Sequence, residues 1–583
     1  MRWTLHPKPD PEKTCQLAKA LQVSESIAVL LVQRGVDTFA KAKHYFRPSW
    51  GDLHNPFLMK DMRQAVDRIF QAVEQQEAIL VFGDYDVDGT TSVALVSSYL
   101  QSFYPRVATY IPDRYEEGYG VSYAGIDYAH DNDISLIIAL DCGVKAVEKV
   151  AYAREKGIDF IICDHHRPGP VLPEAVAVLD PKRSDCTYRY DELCGCGVGF
   201  KLIQALATVR GQDQQELYPY LDLVATAIGA DIVPITGENR VLAYFGLQVI
   251  NTSPRIGFKA LLSQVKKEEL TIMDVVFIIA PRINAAGRMK HGNHAVTLLK
   301  ETNWDLAMQW AQEIEQYNAE RKEADKAITA QALEQIERNQ ETTRKTTVVF
   351  QEDWHKGVIG IVASRLTETY YRPTLVFTQS GDKLAASARS VKDFDVYEAL
   401  EACSEHIEQF GGHKYAAGLT LSKDQYEAFK KRFEEVVNQS IDERLLTPEL
   451  RIDMDLELQE ISPKFYRILR QMAPFGPGNP SPTFRSVNVI DTGYAKGVGD
   501  DQSHLKLSVR HQHGGPAFGA IGFGLGHHLE LVKSGQPFQI AYAIEENVWN
   551  GQSSLQLRIK DLMAYPPTQK TSTESPDHQI HHR

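Results

Sequence analysis

The sequence has no cysteine pair of the CxxC type. Its seven cysteines, Cys15, Cys142, Cys163, Cys186, Cys194, Cys196 and Cys403, are odd in number and scattered, which argues against a disulfide framework and a zinc ribbon and fits a reducing compartment. Long apolar runs are missing too. The N-terminal MRWTLHPKPDPEK has no signal-like apolar core, and no later segment approaches the roughly 20 apolar residues of a membrane span. The expectation is a cytoplasmic protein without a membrane partner. Net positive charge is also lacking: 63 basic against 76 acidic residues leave −13. The surface as a whole therefore cannot coat nucleic acid, although a local basic groove remains open to it.

What is present is 583 residues, 43% hydrophobic and 24% charged, enough for three or four globular domains. From residue 78, short β-branched runs (AILVFGD, RVATYIP, SLIIALDCG, DFIICDHH, AVAVLDP) alternate with helical stretches. This is the pattern of an α/β, doubly wound parallel sheet, and the near-continuous apolar strands mean that helices cover both faces. A helical segment over 1–60 precedes this domain, which spans 61–240; a helical connector covers 241–344 and contains a long charged helix with apolar residues at helical spacing (Leu306, Trp310, Ile314, Tyr317). A smaller α/β domain is expected at 345–445 and a β-barrel at 446–565, with Asn550-Gly551 as a hairpin signal. Residues 451–565 hold 11 Lys/Arg and 11 Asp/Glu, so the barrel is neutral. The Pro/Ser/Thr-rich 566–583 reads as a disordered tail.

Asp84, Asp86 and Asp88 alternate in VFGDYDVDGTTS directly after a strand, at the edge where open α/β sheets hold ligands. Three close carboxylates repel, and a hard divalent cation relieves that repulsion; a solvated Asp-rich turn is the alternative. A calcium loop fails, because the twelfth position is Leu95 and a strand precedes the motif. LDCG adds Asp141, CDHH adds Asp164, His165 and His166, and TAIGADIVP adds Asp231, each read as a strand end. If these strands share one sheet, the ends converge on a mixed Asp/His cluster suited to Mn²⁺ or Mg²⁺. Taken singly, each acid is explained by a helix cap; their conjunction is not. CGCGVGFK, with Cys194 and Cys196, reads as a helix start rather than a redox site.

GDYDVDG, LDCGV, DHH and GADIVP resemble the four motifs of the DHH phosphoesterase superfamily, and FGGHKYAAG resembles the GGH motif of its DHHA1 domain. With PRINAAGRM, HKGVIGIVASRL, SARS and APFGPGNPSPTF, nearly the whole chain resembles the RecJ-type exonuclease family. The resemblance implies a DHH domain, a DHHA1 domain and an OB-like barrel. It also implies hydrolysis of single-stranded DNA from the 5′ end to mononucleotides with two divalent cations, Mn²⁺ or Mg²⁺, in DNA repair and recombination. Asp86, Asp88, Asp141, His165 and Asp231 would be metal ligands, Asp141 bridging. His166 would contact the scissile phosphate, with Asp84 and Asp164 supporting catalysis, Asp164 by orienting an imidazole. Arg114, Ser387, Arg389 and His413 would bind the 5′ end and neighbouring phosphates, assisted by Arg282 and Arg288. Ala388 stands where many relatives carry glycine. Without the resemblance, Arg114 and Arg389 read equally as surface ion-pair partners, and GGHKYAAG as a turn before a helix.

In the barrel, Phe475, Tyr494, Phe523 and Trp549 are expected in the core, with base stacking the alternative, and Lys496, Lys506, Arg510 and His504 can form one basic face. The implied partners are single-stranded DNA, single-strand-binding protein and a RecQ-type helicase, acting on a monomer. A DHH enzyme for short oligonucleotides or cyclic dinucleotides is the first alternative, disfavoured by the added barrel. A scaffold that has lost its ligands is the second, disfavoured because no ligand is lost.

Overall fold

The computed structural model describes residues 1–549 and 551–565 and forms two compact units. The segment expected to be a disordered tail, 566–583, and Asn550 lie outside the described residues.

The larger unit comprises 43–448 and 473–480. Its first sheet is parallel, in the order Val107–Tyr110, Ala78–Gly83, Ile134–Leu140, Asp159–Cys163, Ala177–Leu179. Its inner strands are buried along almost their whole length, as a sheet covered on both faces requires. Asp86 caps helix Val87–Gln101, its carboxylate accepting from Gly89 N at 3.0 Å. CGCGVGFK starts helix Gly195–Val209 with Cys194 as its cap.

One element departs from expectation. LVATAIGAD is not a strand but helix Leu221–Ala230, buried on all sides, with Asp231 at its C-cap. A helix apolar all round lacks the 3.6-residue period that separates it from a buried strand.

Helix Trp304–Arg338 runs for 35 residues. A five-stranded mixed sheet follows, in the order Gln409–His413, Ala416–Ser422, Lys383–Arg389, Thr374–Ser380, Thr347–Phe350, with helices Ile359–Tyr370 and Tyr426–Ser440. FGGHKYAAG forms the hairpin of its first two strands rather than a turn into a helix. Gly412 takes φ 147° there, and a Cβ on it would come within 2.5 Å of Ala417 Cα.

The second unit joins 1–42 to 449–472 and 481–565, so the first 42 residues fold with the C-terminal strands. Arg2–Leu5 pairs with Glu449–Ile452, and Trp3 Nε1 donates to Asp561 at 2.8 Å. Seven strands follow one another from Met454–Asp455 to Lys496–Val498, and an extra pairing of Phe484–Asp491 with His504–His511 partly closes the sheet.

Candidate metal centre and anion pocket

The register of the parallel sheet brings its C-terminal ends level, so the chain delivers Asp84, Asp86 and Asp88, then Asp141, then Asp164, His165 and His166, to one edge. Helix Leu221–Ala230 points Asp231 at the same place. His165 Nε2 lies 3.1 Å from Asp141 Oδ1 and 3.7 Å from both Asp88 Oδ2 and Asp231 Oδ2. None of these approaches has hydrogen-bond geometry, and the nitrogen is buried without a partner. Ligand atoms of Asp88, His165 and Asp231 lie within 4.8 Å of one another, as do those of Asp141, His165 and His166. Buried polar groups are normally satisfied. An imidazole lone pair facing three carboxylates is satisfied by a cation, and this oxygen-rich set with imidazole fits Mn²⁺ or Mg²⁺. Asp86 and Asp84 fall outside those two clusters. Asp86 caps the helix, and Asp84 is fully buried, accepting from Gly120 N at 3.1 Å while its Oδ2 has no partner.

The electrostatics carry the same message. Burial, then the neighbouring carboxylate of Asp86, pushes Asp88 up to about 7; burial, then Asp88 and Asp86, pushes Asp231 up to about 8. Burial and the surrounding carboxylates raise Asp141 and Asp84 well above the usual range. His165 is driven down to about 3 by burial and by His166, so it is a neutral donor. Asp164 behaves oppositely. Burial opposes ionisation, yet the bond and charge of His166, then the Val144 amide and the charge of His165, hold it at about 2; the His165 and His166 amides also donate to it. His166 Nδ1 sits 2.7 Å from Asp164 Oδ1 and its Nε2 3.2 Å from the Tyr119 hydroxyl, which itself donates to Asp141 O at 3.1 Å. That ring is thereby oriented from both sides.

Two anchors are invisible to side-chain patterns. The Gly195 and Cys196 amides, at the start of their helix, donate to Asp88 at 2.6 and 2.7 Å, the helix-terminus arrangement that favours an anion. Asp141 adopts φ 59°, a left-handed backbone that side chains seldom take.

Next to this cluster, a cavity of about 240 Å³ is lined by Tyr85, Arg114, Arg288, Lys356, Ser387 and Arg389 with neighbouring residues. Arg114 stacks on Tyr85 with its guanidinium 4.6 Å from the ring centroid. Arg288 donates to Gly357 O at 2.8 Å, and burial with the charges of Arg114, Arg389 and Arg321 pulls it down to about 9. Arg389 donates to Ser387 Oγ at 3.1 Å. Among the described residues, none of Arg114, Arg288 and Arg389 is in an ion pair, so the surface ion-pair reading fails for Arg114 and Arg389. Helix Ile359–Tyr370 begins at the cavity, where a Cβ on Gly360 would stand 2.9 Å from Ser387 Oγ. Clustered guanidinium groups and a helix N-terminus make an anion site. Lys356 and Gly360 belong to HKGVIGIVASRL, whose residues carried no assigned role.

His413 ends its strand within electrostatic reach of Arg389 and His166. Arg282 is not brought here. It pairs with Glu315 at 2.6 Å and donates to Ile278 O at 2.7 Å, away from the cavity. Helical spacing explains this: Arg282 and Arg288 lie on one helix, Ala280–Met289, and six positions apart differ by about 600°, which puts them on different faces.

In the strand-rich unit, Lys496, Lys506, Ile521 and Arg558 lie opposite one another in a row across four strands. Tyr494 and Phe523, expected in the core, are 51% and 57% exposed; Lys496 sits over Tyr494 and Arg558 over Phe523. Phe475 is half-buried and belongs to the larger unit, and the Trp549 side chain is outside what the structure describes.

A parallel sheet whose carboxyl edge gathers aspartates and a DHH turn, beside an arginine cavity completed by Ser387 and Arg389 of a second sheet, defines a DHH-type phosphoesterase. Family models match in that order: the DHH family N-terminal domain at residues 78–228, the DHHA1 domain at 343–439 and the RecJ OB domain at 452–561. The single-stranded-DNA-specific exonuclease RecJ of Bacillus subtilis is 37% identical over 565 residues, covering 96% of this chain and 70% of its own length. The Escherichia coli enzyme of that name is 34% identical over 525 residues, covering 86% and 90%. The crystal structure of RecJ from Thermus thermophilus in complex with Mn²⁺ is similar with a TM-score of 0.82 at 27% identity, covering 97% of this chain and 80% of that one. The chain belongs to the RecJ family.

Proposed function

We propose that this protein is a metal-dependent exonuclease that hydrolyses single-stranded DNA from its 5′ end, releasing 5′-mononucleotides. The observation that carries the reading is the adjacency of an ion-pair-free arginine cavity and an unsatisfied Asp/His cluster: one takes the terminal phosphate, the other the first phosphodiester. Asp88, Asp141, His165 and Asp231 would hold the cations, with Asp86 beside them. Two divalent cations bound there would activate water and neutralise charge on the scissile phosphate. His166, held through Nδ1 by Asp164, presents its Nε2 to a phosphate oxygen that takes the place of the Tyr119 hydroxyl. Buried Asp84, anchored by the Gly120 amide, backs the ligands. Arg114, Arg288, Ser387 and Arg389 grip the 5′ phosphate by charge-assisted bonds, and His413 on the hairpin, within electrostatic reach of Arg389, contributes to the neighbouring phosphates.

The barrel's exposed Tyr494 and Phe523, with the Lys496–Arg558 row, suit single strands, since stacking and phosphate contacts need no sequence. The protein acts as a monomer in the cytoplasm, in DNA repair and recombination, and single-strand-binding protein and a RecQ-type helicase are its partners in the family reading. Incubating a 5′-labelled single strand and its duplex with Mn²⁺ tests the proposal. Labelled mononucleotide from the single strand alone supports it; cleavage of dinucleotides only, or none, overturns it.

A further inference from the structure

The catalytic sheet has one more carboxyl end that no role above uses. Strand Ala177–Leu179 pairs with Asp159–Cys163 so that Leu179 faces Cys163, and Asp164 N donates to Leu179 O at 3.0 Å. Asp180 therefore stands level with Asp164. The turn after it, PKRSD, is tied down by side-chain bonds at Asp180 and Arg183. Asp180 Oδ1 accepts from Lys182 N at 2.8 Å, and Arg183 forks onto Asp185 at 2.8 Å, reaching Asp61 and Val178 O at 2.6 Å each. Between these anchors Lys182 is half-buried, and among the described residues its ammonium is in no hydrogen bond or ion pair. Its charge nonetheless reaches His165, Asp180 and Asp231. A lysine beside an acidic cluster that pairs with none of it is free for an anion brought by substrate.

Position says which anion. Across the carboxyl edge the strand order sets Arg114 first, then Asp84–Asp88, Asp141, Asp164–His166 and finally Lys182, at steps of about 4.8 Å. A strand with its terminal phosphate among the arginines and its first phosphodiester at the ligands continues toward the Lys182 end. Resting on the exonuclease reading, we propose that Lys182 binds the second phosphodiester, immediately 3′ of the scissile one. A compact ammonium there grips any nucleotide sequence.

The test is a double-mutant cycle read on release of the first nucleotide. Wild type and Lys182→Ala are assayed with Mn²⁺ on a 5′-phosphorylated strand of natural linkages and on one whose second linkage is a neutral methylphosphonate. Lys182→Ala is expected to lose about 10-fold in kcat/KM on the natural strand, as does wild type on the neutral linkage, while combining both costs little more than either alone. The salt slope of kcat/KM should fall by about 0.7 in the variant, and Lys182→Arg should restore most activity. Losses that multiply, or no loss on the natural strand, overturn the proposal; unchanged unfolding temperature separates a binding defect from misfolding. Wild type inert on the natural strand strikes the exonuclease reading itself, and the proposal falls with it.

Discussion

Gly195 packs against Asp141 without room for a side chain: a Cβ on Gly195 would lie 2.6 Å from Asp141 Cβ and 2.8 Å from its Oδ1. The same residue's amide holds Asp88, so one glycine fixes two proposed ligands, one in a helix's first turn and one just past a strand. Gly195→Ala should displace Asp141 and weaken Mn²⁺ binding about 10–100-fold, in the range of other ligand-orienting changes. Calorimetric titration with Mn²⁺ reads this directly, and wild-type affinity in the variant would count against it.

Metal and pH are linked through the raised carboxyls. Between pH 6.5 and 8 the unfolded chain has already shed its carboxyl protons, while folded Asp88 and Asp231 release theirs near 7 and 8. The metal-free folded state thus binds more protons than the unfolded one, and its stability falls as pH rises through this window. His165, depressed to about 3, works in the other direction only below pH 6.5, where the unfolded imidazole takes up a proton. Cations need the deprotonated ligands, so the rise in unfolding temperature on adding Mn²⁺ should be larger at pH 8 than at pH 6.5. Thermal melts with EDTA and with Mn²⁺ at both values check the sign.

Tyr119 connects the Asp141 backbone to His166. Tyr119→Phe keeps the ring and removes the hydroxyl, leaving His166 held by Asp164 alone. A fall of about 10-fold in kcat with KM little changed is expected, below the 10²–10⁴-fold of losing an acid–base group outright. A KM effect alone would point to strand binding instead.

Arg389 is assigned to the terminal phosphate. Arg389→Ala should cost about 1.5–3 kcal/mol on a 5′-phosphorylated strand, a charged hydrogen bond's worth, and much less on a 5′-hydroxyl strand. Comparing kcat/KM for the two ends measures it; equal losses on both would contradict the assignment.

On the barrel, Phe523→Ala should weaken single-strand binding by about 1–3 kcal/mol if it stacks on a base. Lys506→Ala should instead flatten the salt dependence by about 0.7 in slope. Fluorescence anisotropy across a salt series separates the two effects.

Most of the centre is legible because parallel strands end level: once AILVFGD, SLIIALD and DFIICDHH are strands of one sheet, their terminal acids and imidazoles must converge. Asp231 reaches the cluster from a helix rather than a strand, because an almost wholly apolar helix and a buried strand share the same composition. The Gly195 and Cys196 amides were illegible, because backbone donors carry no residue signature. Arg282 and Arg288 looked equivalent in PRINAAGRM until the helix turned them to different faces. Tyr494 and Phe523 were misplaced inward because aromatic residues in strands are usually core, and only cross-strand register shows the outward row they join.

The most direct test of the centre is Asp141→Ala at saturating Mn²⁺ on a 5′-labelled single strand. Asp141 is buried among like charges, so its removal should leave a folded protein. The account predicts wild-type-like melting and no mononucleotide release; sustained turnover by the folded variant would contradict it.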